Sequence, residues 1–338
     1  MEKRLNGVNL NMRDIYKTVD NFEKYKAVSS TCVIKGDIDN PTISVFIPTY
    51  KRADTIVDTI SSALDQAGAD SYEIVIVNND PEGETGETRE IIESYNDNRL
   101  YYYVNQENIG LCGNWNRGLE LCRGKYVAMI HDDDVLSPWF LASMLRAIED
   151  NNRPLVLGVK SINFTSKNKP KFSQPVKLKY RPVSKRSFFF GRYLTIAGMT
   201  VDRERVIELG GYSEEYYPNE DTILIYQAVL KGKVINVENE LAGYRKEVNL
   251  SLSEGTMKKI IEYTEHTRRN IAKYERFANL FMKFFDREYL YTYAVGANKG
   301  WGTNVNVKEI MRDFKMADGR PNGLKLKLMH VVCRLGRI

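Results

Sequence analysis

The feature that most constrains this chain is a repeated alternation in its first half: a short β-branched run, a turn, then a stretch of helical period. Ile43-Ser44-Val45-Phe46-Ile47 reads as a strand stopped at Pro48. A helix over roughly residues 54–66 follows, carrying Ile56, Ile60, Ala63 and Leu64 along one side. Glu73–Val77 is a second strand, closed by the turn-rich Asn78-Asn79-Asp80-Pro81-Glu82-Gly83. Then come a polar helix near 84–96, a strand at Leu100–Val104, a helix near 112–122 and a strand at Tyr126–Ile130. Strands separated by helices of this length point to βαβ units, and so to an α/β fold with a Rossmann-like, mostly parallel sheet flanked by helices. Such sheets collect their ligands beyond the carboxyl ends of the strands. Pro48–Arg52, Asn78–Asp80 and Asp132–Asp134 should therefore converge on one site.

The second half is less regular. Leu155–Phe164 and Lys233–Val237 read as strands and Glu220–Leu230 as a helix; from Thr256 onward the pattern is mainly helical. Upstream, Met12, Ile15, Tyr16, Val19 and Phe22 fall at i, i+3, i+4, i+7 and i+10, which predicts an N-terminal helix. The Lys/Pro-rich stretch Lys167–Pro182 reads as an exposed loop. A chain of 338 residues, 43% hydrophobic and 28% charged, buries a full core without staples. Cys32, Cys112, Cys122 and Cys333 form no CxxC pair and read as reduced thiols. There is no apolar run of ~20 residues and no start resembling a signal peptide, so a soluble, cytoplasmic protein is expected. The net charge of +5 is diffuse and accompanies no nucleic-acid-binding motif.

Chemistry concentrates in His131-Asp132-Asp133-Asp134, directly after the strand Tyr126–Ile130. Three adjacent carboxylates repel one another, and a divalent cation among them relieves that repulsion. Hard oxygen ligands suit Mg²⁺ or Mn²⁺, which commonly bind through one or two carboxylates plus substrate phosphates. The competing reading is a solvated acidic turn leading into the helix that Pro138 opens.

Several segments, taken in order, resemble the family 2 glycosyltransferases. Ile43–Arg52 looks like their opening strand and P-T-Y-N-R segment, and Tyr72–Asn79 like their E-I-[IV]-V-V-D-[DN] strand. Asn108-Ile109-Gly110 through Asn114, Asn116, Gly118, Gly124 and Tyr126 is similar to N-x-G…N-x-x-x-x-x-A-x-G-x-Y, with Cys122 at the usual Ala. His131–Pro138 resembles D-x-D-D-x-x-x-P; Gly210–Glu214 and Glu220-Asp221 resemble the G-G-[FY]-x-E and E-D elements. The resemblance implies a GT-A fold over 41–255, with a nucleotide-binding half (41–135) and an acceptor half (136–255). An N-terminal helical extension (1–40) and a C-terminal helical region (256–338) would flank it.

By the same resemblance, Pro48, Thr49, Tyr50 and Arg52 would contact the nucleotide of a sugar donor, with Asn79 and Asn108 nearby. Asn78 stands where the family usually has an Asp that reads uracil; its amide still offers a donor and an acceptor. UDP is the favoured carrier and dTDP the alternative. Asp132 would touch the donor ribose or sugar, and Asp133 would hold Mn²⁺ or Mg²⁺, with Asp134 and Glu247 as further ligands. Arg245, in Tyr244-Arg245-Lys246-Glu247 with Ser251 and Ser253, would face the diphosphate. An acceptor hydroxyl attacking the anomeric carbon needs a base. Asp221, with Glu220 beside it, is the candidate, at a predicted helix start whose dipole favours the ionised form. A lone base implies one displacement and inversion. The expected acceptor is a glycan or lipid-linked glycan of a surface polysaccharide.

Two rival classes are weighed. A nucleotidyltransferase would carry a Gly-rich basic loop where this chain has Pro48–Arg52, and a non-catalytic nucleotide-sugar scaffold would not need Asp133 and Asp221. Trp115 and Trp139 fit core packing better than sugar stacking. His266 and His330 lack ligand-spaced partners. On a helix, Leu324, Leu328, Val331, Leu335 and Ile338 share a face with Lys327, Arg334 and Arg337 opposite, the pattern of an interfacial helix or of one packed on the domain. The 321–338 segment is thus a candidate for peripheral contact at the inner face of a membrane, and both sets of flanking helices could serve oligomer assembly.

Overall fold

The computed structural model describes residues 14–191, 193–247 and 253–337. Among the described residues ten strands form one sheet: β1 (Ser30–Ile34), β2 (Ile43–Thr49), β3 (Tyr72–Asn78), β4 (Leu100–Asn105), β5 (Tyr126–Met129), β6 (Val135–Leu136), β7 (Val156–Phe164), β8 (Tyr180–Pro182), β9 (Met199–Asp202) and β10 (Val234–Arg245). Their order is β1-β4-β3-β2-β5-β9-β7-β10-β6, with β8 beside β10. The centre, β4-β3-β2-β5, is wholly parallel. Toward the edges the sheet is mixed: β1, β9, β6 and β8 pair antiparallel, while β7 and β10 run parallel.

The central strands are apolar on both faces, as a covered parallel sheet requires. Ile43, Val45 and Ile47 of β2 face one core, with α1 (Ala53–Leu64), α2 (Glu87–Ser94) and, later in the chain, Phe140, Leu141 and Met144. Phe46 of β2 and Val75 and Val77 of β3 face the other, where α3 (Gly110–Leu121) packs Cys112, Trp115 and Leu119. The remaining helices are α4 (Phe140–Asp150), α5 (Lys185–Phe189), α6 (Arg203–Glu208), α7 (Glu220–Lys231), α8 (Glu254–Tyr274), α9 (Arg276–Trp301), α10 (Val307–Asp313) and α11 (Gly323–Gly336). Ile271, Phe281, Tyr289, Met329 and Cys333 bring α8, α9 and α11 into the same core as α3, so the C-terminal helices complete the second face of the sheet. A smaller cluster around Met257, Leu290 and Ile310 ties α10 to α8 and α9.

The expected N-terminal helix is not formed over residues 14–22; Met12 lies outside the described residues. Asp14 and Asp20 accept the amides of Tyr16 and Phe22, two residues on, and these local turns compete with a helix. The segment instead lies over α7: Tyr16 Oη meets Tyr226 Oη at 2.9 Å, and Asn21 donates to Gly210 O through backbone and side chain. Gly210 and Gly211 both have positive φ, and a Cβ on Gly210 would meet Val19 O at 1.9 Å, so the Gly-Gly pair makes room for this crossing. β1 then joins β4, which draws residues 30–34 of the presumed extension into the main sheet. Pro48 does not stop β2, which runs on to Thr49. Pairing with β5 ends at Phe46, so Pro48 needs no amide on that side.

Candidate active site

The chain leaves β2 toward β3 and β4 on one side and returns to β5 on the other, so the crevice beyond the carboxyl ends of β2 and β5 is a topological switch point. Three segments meet around it. Asn79 N donates to Thr49 O at 2.9 Å, joining the ends of β3 and β2. Thr49, Tyr50 and Arg52 influence the ionisation of Asp132, which puts the β2–α1 turn against the acidic segment. The predicted convergence is present in the fold.

The segment His131–Asp134 is a tight turn, closed by Asp134 N to His131 O at 3.1 Å. α1 holds it from one side through Thr59 Oγ1, 2.7 Å from Asp134 O. Arg245, at the end of β10, holds it from another. Its backbone N donates to Asp134 Oδ1 at 2.9 Å and its Nε to Asp133 O at 2.7 Å. The same guanidinium reaches Ser166 Oγ and Asp58 Oδ2, both at 2.8 Å, and lies 4.6 Å from the centre of the Phe164 ring. Arg245 is thus buried behind the turn with its donors engaged there. The expectation that it faces a diphosphate is corrected: it braces the turn. Glu247 likewise accepts from Ser166 N and Oγ, and it is not part of the potential ligand cluster among the described residues. Ser251 lies outside the described residues; Ser253 caps α8.

That cluster is His131, Asp133 and Asp134, whose ligand atoms lie within 4.8 Å of one another. Two of those groups carry buried atoms with no hydrogen-bond partner, His131 Nε2 and Asp134 Oδ2. His131 Nδ1 stands 3.9 Å from Asp134 Oδ2. A buried donor or acceptor left unpaired is costly, and a divalent cation would satisfy both, so these residues fit a metal. His131 was not among the expected ligands; its only sequence signal was its place in the turn. Trp115 orients it, stacked at 5.5 Å and 21°, and in turn meets Tyr212 edge-on at 4.9 Å. Burial depresses the His131 pKa and pushes Asp134 well above the usual carboxylate range, helped by the Asp133 charge. Burial also raises Asp132 to about 7, against the lowering pull of Thr49.

The asparagines serve the frame of the site. Asn79 donates to Asn108 Oδ1 and Gly110 O and accepts from Asn105 Nδ2 and Ile109 N. Both donors and both lone pairs are in use, so its expected donor contact is corrected to a structural role. Asn108 shares that network through Asn79 and Gly110 N. Asn105 and Asn114 extend it to Val77 O, and Asn116 exchanges two bonds with Tyr212, which explains why the Asn and Gly-Gly-Tyr motifs belong together. Asn78 holds Tyr102 Oη at 2.8 Å and Asp80 N at 3.0 Å, yet still borders a polar crevice of about 440 Å³ with Lys51, Asp54, Asp80 and Glu87. Tyr50 is exposed, its ring 5.4 Å from Nζ of Lys51, which lines that crevice.

Glu220 and Asp221 open α7, and both lie near Cys112 and Tyr212. Glu220 is buried with Oε2 unpaired and borders a cavity of about 10 Å³ with Lys17, Asn21 and Gln227, beneath the N-terminal segment. Burial lifts its pKa to about 8. Asp221 accepts from both Thr222 N and Oγ1, and Tyr212 and Cys112 feel its charge. Its pKa is raised by burial against the lowering hydrogen bonds from Thr222, so the ionised form is disfavoured where the sequence leads us to expect it favoured. Asp221, with Glu220 beside it, remains the candidate base.

Residues 44–207 match the family model of glycosyl transferase family 2. A curated relative, the GalNAc(5)-diNAcBac-PP-undecaprenol beta-1,3-glucosyltransferase of Campylobacter jejuni, is 25% identical over 67% of this chain and 72% of its own length. An uncharacterized glycosyltransferase of Methanocaldococcus jannaschii is 26% identical over 63% of this chain and 77% of its own length, whereas five other curated glycosyltransferases match over only 15% to 36% of theirs. Among solved structures, S. aureus TarS in complex with UDP-GlcNAc has a TM-score of 0.52 at 16% identity, covering 88% of each chain. The mannosyltransferase PcManGT of Pyrobaculum calidifontis, in complex with GDP-Man and Mn²⁺, has a TM-score of 0.54 at 14% identity over 90% of this chain and 83% of its own. At such identities the two structures share the fold. Among the described residues no helix is long and apolar enough to cross a membrane.

Proposed function

The chain belongs to glycosyl transferase family 2 and has the GT-A fold, and from that premise we propose that it transfers a sugar from a nucleoside diphosphate, UDP by preference, with inversion at the anomeric carbon. The observation that carries this reading is the meeting of the β2–α1 turn with the braced His131–Asp134 turn at the switch point. Thr49, Tyr50, Arg52 and Asn78 would hold the nucleoside, and Asp132 the ribose or sugar. Mn²⁺ or Mg²⁺ held by Asp133, with His131 and Asp134, would neutralise charge on the departing diphosphate.

The acceptor hydroxyl forms its bond to the anomeric carbon as the bond to the diphosphate oxygen breaks, and its proton passes to Asp221. Burial raises the Asp221 carboxyl above its ordinary range, which makes its carboxylate a stronger base. The Campylobacter jejuni relative is named for a PP-undecaprenol-linked glycan. That name supports a lipid-linked glycan as the acceptor class and surface polysaccharide synthesis as the setting.

A panel of UDP-, dTDP- and GDP-sugars tests the reading by nucleoside diphosphate release with Mn²⁺, with Mg²⁺ and with chelator. Release should require metal and be greatest with a UDP-sugar. No release from any donor would leave a binding scaffold, and a product of retained configuration would remove the single-displacement mechanism.

A further inference from the structure

α11 has two apolar faces, and the fold uses only one. Met329, Cys333 and Gly336 are buried, Gly336 against the Phe190 ring, with Leu326 and Val332 packed beside them. Lys325 pairs with Glu288 at 3.2 Å, and Arg337 Nε donates to Phe190 O at 2.6 Å, which fixes the rotation of the helix. Leu324, Leu328, Val331 and Leu335 then point outward, at 79%, 55%, 55% and 58% exposure. At about 100° per residue these four fall within a ~60° arc, turned roughly 140° from the buried trio. The sequence pattern grouped these leucines as one stripe, and the structure leaves that stripe uncovered.

Charge distinguishes the stripe from an ordinary surface. From Gly319 to Arg337 there is no acidic residue, while Arg320, Lys325, Lys327, Arg334 and Arg337 are basic. Lys327 and Arg334 flank the leucine row on one side and have no ion-pair partner among the described residues. A row of aliphatic side chains on a convex helix, edged by unpaired cations, matches a surface that is apolar within and anionic at its boundary. A second copy of the chain would oppose cation to cation across the same row.

We propose that α11 docks on an anionic lipid surface, seating Leu324, Leu328, Val331 and Leu335 among the acyl chains while Lys327 and Arg334 meet the headgroups. The docking stands apart from the donor chemistry, since none of these residues belongs to the crevice.

Cosedimentation of the full chain with phosphatidylcholine vesicles, with and without phosphatidylglycerol, tests it without any nucleotide sugar. The chain should pellet with the anionic vesicles only, and added salt should release it. Leu328→Glu/Val331→Glu and Lys327→Glu/Arg334→Glu should each weaken binding at least about tenfold, with melting temperatures unchanged because all four side chains are exposed. Wild-type protein that ignores anionic vesicles overturns the proposal, as does equal binding by the Leu328→Glu/Val331→Glu variant. A wild-type dimer that this variant converts to monomer, with no vesicle binding, assigns the face to a second copy and overturns it too.

Discussion

The molecule buries two groups of adjacent acids and treats them in opposite ways. In the His131–Asp134 turn the backbone is held from outside: Thr59 on the Asp134 carbonyl, Arg245 on the Asp133 carbonyl, and Ile130 N on Phe46 O. What the turn leaves unpaired, His131 Nε2 and Asp134 Oδ2, belongs to side chains drawn together with Asp133. In Glu220–Asp221 one side chain borders a small cavity and the other accepts from Thr222. Crowded acids can shed their repulsion to a cation or to a proton. The first group brings three potential ligands together around unpaired atoms, whereas in the second burial lifts Glu220 to about 8, which favours a proton there.

The largest effects should separate the two groups. Asp221→Asn should lower kcat by ~10²–10⁴-fold, the span of a lost general base, with Mn²⁺ affinity unchanged. Asp133→Asn should lower transfer by ~10²–10³-fold, the scale of one lost electrostatic contact to developing charge, and abolish Mn²⁺ binding followed by electron paramagnetic resonance. If Asp221→Asn weakens Mn²⁺ as much as Asp133→Asn does, the two groups form one site and the distinction fails.

Arg245→Met comes next. It removes three side-chain donor contacts from behind the turn while leaving the cluster's own atoms in place. The backbone bond to Asp134 survives, and Asp58 keeps some solvent and Lys169, so the stability loss in urea unfolding should be about 1.5–3 kcal/mol. Mn²⁺ affinity should fall by ~10–100-fold, as when outer-shell partners are lost. Arg245→Lys should restore little of either, because a single ammonium cannot reach Asp133 O, Ser166 and Asp58 together. Unchanged Mn²⁺ affinity in Arg245→Met would mean the turn holds its shape unaided.

Legibility in the sequence followed the same division. The central strands could be read because β2 and β3 alternate apolar residues toward two covered faces, a local pattern bounded by turns. The convergence of Thr49, Asn79 and Asp132 followed from the βαβ alternation. The burial of Arg245 did not, because it depends on β10 bending between Val237 and Ala242, where register with β7 slips. Nothing local marks Thr59 as the partner of a turn more than 70 residues away, or Asp58 as the partner of Arg245. Asn79 and Asn108 were read as ligand contacts because motif position alone does not tell a side chain that touches substrate from one that shapes the loop. Val19 and Phe22 kept helical spacing, but Asp20 and the Gly210–Gly211 crossing decided the backbone.

The smallest expected effect is the sharpest test of the difference between the acids of α7. Glu220 in the folded chain has a pKa of about 8 against an ordinary 4.5, so the native state keeps a proton that the unfolded chain has already lost. Stability is therefore full at low pH and declines as pH rises from about 4.5 through about 8. Glu220→Gln cannot make that transition; its melting temperature should match wild type near pH 4 and exceed it increasingly toward about pH 9. Transfer should continue in this variant, because Asp221 keeps its contacts with Thr222. Its kcat–pH profile should retain an acid limb above the ordinary carboxylate range, because burial is what raises Asp221. If the acid limb instead disappears together with the pH-dependent stability, the proton that matters for transfer sits on Glu220, and the cavity beneath residues 17–21 belongs to the reaction.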